Sequence, residues 1–421
     1  MTQSARVVER TYLLLILLTT LAASFIWGIN TLFLLDAGLS NTEAFAANAF
    51  FTLGQVIFEV PTGVVADTRG RRFSFMLGAG TLLLSTLLYL VMWNLHAPLW
   101  GWAIASILLG LGFTFFSGAT EAWLVDALAA TGFSGNLESV FGRAQVVGGG
   151  AMLVGSVAGG FIAQATDLGV PYIVRAAMLG VTLVIAWWFM HDLGFTPQRG
   201  VTPVTAVRTV ITGAVDGGLR NRPVRWLMLA APFTVGVGFY AFYALQPLLL
   251  ELYGDPTAYG IAGLAAAVVA GAQILGGLTV PFVRRLFRRR TDALILAVLL
   301  TAILLAFIGL TDSFILALAL MTAWCLVAAV EEPMRQAFIN GLIPSQQRAT
   351  VLSFDSLIGS TGGVVAQPVL GRTADLFGYP ASYVAAAGIQ ALALPFVLLA
   401  RREHAASDPI VGETEAEAAG A

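Results

Sequence analysis

Charge is what this sequence lacks. Only 11% of its 421 residues are charged and 58% are hydrophobic, against roughly 25% charged in an ordinary soluble domain. A chain this apolar cannot cover its surface with polar groups in water, which excludes the soluble globular class and makes lipid the solvent. Lysine is missing altogether, so all 22 basic residues are arginine. The net charge of −2 offers no basic excess to a nucleic-acid partner. The single cysteine, Cys325, excludes an internal disulfide, and three scattered histidines make no metal cluster. No phosphate-binding loop of the Walker type, no nucleophile motif and no metal-ligand spacing occurs. The chain therefore reads as a non-enzyme with no cofactor.

What it has is long apolar runs. A helix needs about 20 apolar residues to cross a bilayer. Twelve such runs are read at roughly 11–36, 43–66, 73–94, 98–129, 137–165, 171–191, 223–252, 257–283, 292–310, 313–342, 350–374 and 380–400. Breaks fall at turn-forming clusters such as "DAGLSN", "NLHAP", "YGDP" and "FGYP". The first run is long and more runs follow it, so it reads as a retained helix and not a cleaved leader. The expected fold is an all-α integral membrane protein of twelve transmembrane helices in two six-helix bundles. Residues 1–191 form the first bundle and 223–402 the second. The stretch 192–222 joins them as a linker with one surface helix at "VTAVRTVITGAV". The acidic tail 403–421 is too polar and small to pack and is expected to be disordered.

Arginine placement sets orientation. Arg6, Arg10, the 69–72 cluster, Arg143, Arg220, Arg284, Arg285, Arg348 and Arg401 all fall on one side of an even-numbered set of spans. The opposite loops carry Asp36, Glu43, Asp167, Glu251, Asp255 and Asp312. Positive charge collects in cytoplasmic loops, which puts both termini in the cytoplasm, with the protein a multi-pass component of a plasma membrane, the bacterial inner membrane.

The two halves resemble each other. "LLDAGLSNT" at 34 pairs with "LLELYGDPT" at 249, "GQVIF" at 54 with "AQILG" at 272, "GATEAWL" at 118 with "AAVEEPM" at 328, and "GSVAGG" at 155 with "QPVLGR" at 367. The offsets are all about 210 to 218 residues and the pairs occur in order. Six spans repeated in the same orientation is an arrangement of secondary transporters.

"GVVADTRGRR", residues 63–72, then acquires a meaning. It fits Gly-x-x-x-Asp-x-x-Gly-Arg-Arg, found between helices 2 and 3 of the major facilitator superfamily, which the whole chain resembles. The resemblance implies that Gly63 packs closely on a neighbouring helix and that Asp67 and Gly70 shape the turn. Arg71, with Arg72 beside it, would pair with acidic groups at the cytoplasmic face, and Asp126 is the matching partner. Together they would form a latch at the cytoplasmic mouth. The second half, "TVPFVRRLFRRR", lacks the Asp and the glycines, so a weaker latch is expected there. In helix 5, "AMLVGSVAGG" resembles the glycine motif of proton-driven exporters at Gly155, Gly159 and Gly160, with Ala151 and Ser156 departing from it. Small residues at those places let helices approach closely.

An ionisable group at bilayer depth costs on the order of 3 kcal/mol or more and so has a partner or a task. Thr114, Ser117 and Glu121 lie at helical spacing and predict a polar stripe in helix 4. Glu121 and Asp126 are five residues apart, roughly 140° around a helix, and so serve different ends. In helix 10, Glu331 and Arg335 have the i, i+4 spacing of an ion pair, leaving Glu332 in surplus. Glu59 calls for a partner in helix 4 or 11. Arg175 and Arg372 are expected to pair with Asp167 and Asp375. The resemblance implies that helices 1, 4, 7 and 10 line the cavity, with Trp27, Asn30, Trp123, Tyr240, Tyr243, Gln246 and Trp324 as candidates for substrate contact. These aromatics suit an amphipathic organic ligand.

The expected function is secondary active transport of a small organic solute by alternating access, coupled to protons, with Glu121 as carrier and Glu332 next. Efflux of amphipathic compounds is the first reading and proton-coupled nutrient uptake the alternative. A monomer with solute, protons and the bilayer as its only partners is expected. A polytopic membrane enzyme or sensor is the other class. Such an enzyme would need a cluster of His, Asp or Cys at membrane depth, which the sequence does not show.

Overall fold

The computed structural model describes residues 4–197, 200 and 202–410. The described residues are nearly all helical, with no strand beyond one isolated bridge between Arg289 and Pro409. The helices are α1 (Ala5–Trp27), α2 (Asn30–Asp36), α3 (Asn41–Arg69), α4 (Arg71–Asn94), α5 (Leu99–Phe116), α6 (Ala119–Ala130), α7 (Leu137–Ala165) and α8 (Val170–Phe189). After α9 (Pro203–Ala214) come α10 (Arg222–Tyr253), α11 (Tyr259–Val283), α12 (Arg290–Leu310), α13 (Phe314–Asn340), α14 (Ser345–Ala391) and α15 (Leu394–Arg402). Helix α9 coincides with the amphipathic stretch of the linker.

Among the described residues eleven segments are long and apolar enough to span a membrane, and the last of them, Thr350–Arg402, is 53 residues long. It breaks at Gly378, whose φ is 80°, two residues before Pro380. Two spans therefore lie in it, and the total is the twelve expected. The breaks elsewhere have local causes. Ser40 and Glu43 close a capping box at the start of α3, satisfying backbone donors that a helix end leaves open. Gly118 takes φ 68° between α5 and α6 and divides the fourth span.

The chain packs as two compact units. The first runs to Val207 and takes in Tyr253–Ala270, while the second comprises Arg208–Leu252 and the chain from Gly271. Within the first, α1 packs on α7 and α8, α3 on α5, and α4 on α5 and α8. Its core holds Tyr12, Leu15, Phe75, Trp123 and Leu124. The start of α11 joins this unit through small residues. A Cβ on Gly160 would meet the Gly263 Cα at 2.9 Å, and the Gln164 side chain accepts the Gly260 N–H at 2.9 Å. In the second unit α12 packs on α13, α14 and α15 around Leu227, Met228, Leu294, Met334 and Phe338.

The tail differs from expectation. Residues 403–410 are packed, and 411–421 lie outside the described residues. Asp408 is buried and accepts the Thr291 N–H and hydroxyl, both at 2.9 Å. The Arg290 guanidinium donates to the carbonyls of Ser407 and Pro409, and the Ser407 hydroxyl donates to the Phe338 carbonyl at 2.7 Å. An acidic, alanine-rich composition hides this clip, because its energy lies in a few hydrogen bonds and not in apolar area.

Candidate functional site

The turn joining α3 to α4 gathers the charges of "GVVADTRGRR". Gly70 sits at φ 110°, where a side chain is strained, and the Asp192 carboxylate occupies the space a Cβ would need. The Arg71 Nη1 donates to Asp67 Oδ1 at 2.5 Å. Asp126 Oδ2 lies 3.8 Å from Arg71 Nε. Asp192 Oδ1 accepts the Arg72 N–H at 2.8 Å. The Arg72 guanidinium donates to the Trp187 carbonyl at 2.5 Å and lies 5.0 Å over the Trp187 ring. Gly63 departs from the resemblance, since a Cβ there would meet no atom within 4 Å. Asp192 was not legible in the sequence. It sits 120 residues from its partner, in a linker with no motif of its own.

The fourth span carries no continuous polar stripe. The break at Gly118 turns the Ser117 hydroxyl to Glu59 Oε1, at 2.6 Å, while the Thr114 hydroxyl bonds the Leu111 carbonyl. Glu59 thus finds its partner in helix 4. Glu121 opens the first turn of α6 and is exposed.

Helix α13 also departs from expectation. Arg335 pairs with Asp355 of α14, through Nη1 to Oδ2 at 2.7 Å and Nη2 to Oδ1 at 2.5 Å, and not with Glu331. A planar guanidinium matches a carboxylate with two parallel bonds, which one turn of its own helix does not supply as well. Glu332 is exposed and accepts from the Gln336 amide at 2.8 Å. Glu331 lines an apolar cavity of about 320 Å³. Asp355 is the partner of Arg335 that pattern reading missed. Its signal was present as the one acidic residue in "VLSFDSLIG".

The other candidates divide. Trp123 is core and donates its indole N–H to the His191 carbonyl at 2.7 Å. Asn30 is buried in a network with Asn48 at 2.9 Å and the Tyr172 hydroxyl at 3.0 Å. Tyr240 is buried and donates to the Ser382 hydroxyl. Gln246 is buried and Tyr243 partly so. These contacts place Trp123, Asn30 and Tyr240 in the scaffold. Trp27 lines a cavity of about 200 Å³ in the first unit together with Thr19, Ser24, Phe113 and Arg175. Arg175 is buried and donates to the Thr86 hydroxyl at 3.0 Å, while Asp167 caps its own turn at Gly169 and Val170. Trp324 is buried, with an indole N–H that meets no acceptor among the described residues. Gly155 and Gly159 let α7 touch α1 at Ser24 and Phe25. No group of three metal-ligating side chains occurs among the described residues.

The sequence matches the family model of the Major Facilitator Superfamily over residues 12–321 and 272–419. The chain belongs to the Major Facilitator Superfamily. It is thus a membrane transporter of that type, with the superfamily's twelve-helix fold. An uncharacterized MFS-type transporter of Methanocaldococcus jannaschii is 20% identical over 370 residues, covering 87% of this chain and 90% of the relative. Among solved structures of the superfamily fold, the nucleoside transporter NupG aligns with a TM-score of 0.76 at 11% identity, over 93% of this chain and 98% of its own. A D-xylose-proton symporter aligns at 0.66 and 18% identity, over 93% and 96%. The POT family transporter PepTSo aligns at 0.73 and 12%, over 96% and 99%. At these identities the likeness concerns the fold alone.

Proposed function

We propose that this superfamily member exports small amphipathic organic compounds by alternating access, in exchange for protons, from a plasma membrane with both termini in the cytoplasm. The observation that carries the coupling is the commitment of Arg335 to Asp355. It leaves Glu331 and Glu332 without an ion pair to Arg335, and Glu121 makes none among the described residues either. An unpaired carboxylate in a spanning segment needs a proton or a cation. Glu121 and Glu332 are exposed, which lets water deliver the proton, and Glu121 is the first carrier. Arg71, Arg72, Asp67 and Asp126, turned by Gly70, form the cytoplasmic latch. Trp27, which lines the cavity of about 200 Å³ in the first unit, is the aromatic contact for the solute.

The test is pH-driven flux alongside substrate exchange in proteoliposomes. Glu121→Gln abolishes the first and spares the second if Glu121 carries the proton. Full pH-driven flux in that variant removes Glu121 from the coupling and passes the test to Glu332.

A further inference from the structure

The fourth span breaks at Ser117 and Gly118, and its neighbours fit the break. In a continuous helix the carbonyls of Thr114 and Phe115 would take the N–H groups of Gly118 and Ala119. Instead the Ser117 N–H turns back to the Phe113 carbonyl at 3.2 Å, and the ladder resumes with the Ala122 N–H on the Gly118 carbonyl at 3.1 Å. Side chains serve the two carbonyls left open. The Ser74 hydroxyl of α4 donates to Phe115 at 3.0 Å. The Thr62 hydroxyl of α3 lies 3.1 Å from the Thr114 carbonyl and shares its proton with the Phe58 carbonyl at 2.8 Å. Both side chains are buried. The Ser117 hydroxyl donates to the half-buried Glu59 at 2.6 Å.

Backbone groups freed within a spanning segment are costly unless protein or water satisfies them. Here side chains from two neighbouring helices do so. Two bundles that rock as rigid bodies need no break inside a span, so this one calls for another task. The lower piece, α6, carries Asp126, which stands 3.8 Å from Arg71. Helices α3 and α4, which hold the break, also flank the turn that carries Arg71. The direction of α6 therefore sets that stand-off. Gly118 has a φ of 68°, which a residue without Cβ adopts freely, and a Cβ there would meet nothing within 4 Å. We infer that Ser117–Gly118 is a hinge within the fourth span and that Glu59 is a positioning residue, whose bond to Ser117 catches α6 in the direction that brings Asp126 to Arg71. The consequence at Asp126 rests on the latch proposed above, whereas the hinge and its catch do not.

Distances between paired spin labels test this on the full chain in lipid nanodiscs, in a Cys325→Ala background. One pair, Ile104→Cys with Val125→Cys, spans the break from α5 to α6. The other, Leu84→Cys with Val125→Cys, measures α6 against α4. All three positions are exposed. Ser117→Ala and Glu59→Ala each remove the catch and are expected to broaden both distance distributions, and the double variant to broaden them no further. Glu59→Gln keeps an oxygen that can accept from Ser117 and should restore the parent width. Gly118→Ala disfavours the left-handed turn and should lengthen the Ile104–Val125 distance toward the roughly 32 Å of a continuous helix. Every readout is a distance, so a failure of proton coupling at Glu121 leaves them unmoved. Distributions that match the parent in both Ser117→Ala and Glu59→Ala would overturn the catch, as would Glu59→Gln behaving like Glu59→Ala. Ser117 is exposed, so Ser117→Ala carries the test if Glu59→Ala does not fold. An unchanged Ile104–Val125 distance in Gly118→Ala would overturn the hinge. Broadening of the first pair with the second fixed would overturn the link to Asp126.

Discussion

Asp192 and Asp408 do the same work in the two halves of the chain. Asp192, just after the sixth span, accepts the N–H of Arg72 at the start of α4 at 2.8 Å. Asp408, just after the twelfth, accepts the N–H of Thr291 at the start of α12 at 2.9 Å. Each residue bonded is the second of its helix, where a backbone donor has no partner within the helix.

Removing these caps should destabilise each half separately. Asp192→Ala and Asp408→Ala are expected to cost about 0.5–2 kcal/mol each, the range for a lost helix cap. Asp408→Ala should lie at the upper end, because Asp408 is buried and also holds the Thr291 hydroxyl. Thermal unfolding in micelles measures both, and an Asp408→Ala protein as stable as the wild type would show that the clip adds nothing.

Breaking the Arg335–Asp355 pair should be more damaging. Both side chains are about nine-tenths buried, and removing one partner of a buried pair costs about 3–5 kcal/mol because the other charge is left alone. Asp355→Asn is expected to reduce the yield of folded protein sharply, and Glu331→Gln to leave it near normal. Size-exclusion profiles of the two variants make the comparison.

In the proposed latch, Asp67 should matter more than Asp126. Asp67 hydrogen-bonds Arg71 at 2.5 Å, and Asp126 stands off at 3.8 Å. We expect Asp67→Asn to raise thiol labelling of Ala127→Cys, a buried position next to Asp126 on α6, in a Cys325→Ala background. Asp126→Asn should do so less. Labelling that matches the parent in both variants would remove the latch.

The contact between α7 and α1 should be intolerant of one methyl group. A Cβ on Gly159 would overlap the backbone of Phe25, whereas one on Gly150 would meet nothing within 4 Å. Gly159→Ala should cost about 1–3 kcal/mol, the range for overpacking. Gly150→Ala should be neutral or gain up to about 1 kcal/mol from helix propensity. The melting temperatures of the pair test this, and equal values would mean that α7 is free to shift.

What the sequence by itself determined is the set of spans, their repeat and the residues of the α3–α4 turn. Bilayer thickness sets the length of every apolar run, and a Gly or Pro at most of the breaks writes the boundary locally, the arginine-rich 284–289 being an exception. Partners were decided only by the tertiary structure. Arg335 could reach Glu331 by helical spacing, yet Asp355 from another helix offers the flat two-bond match. The stripe Thr114–Ser117–Glu121 held only while helix 4 was assumed continuous, and Gly118 at φ 68° turns Ser117 away to Glu59. Asp192 and Asp408 lie in stretches that composition marks as loose, and each gains its role by meeting a helix start more than a hundred residues away. Periodicity records how a helix faces its solvent, while a hydrogen bond between distant segments depends on where the chain has brought them. That placement is set by packing, as at Gly159 against Phe25, and no local pattern encodes it.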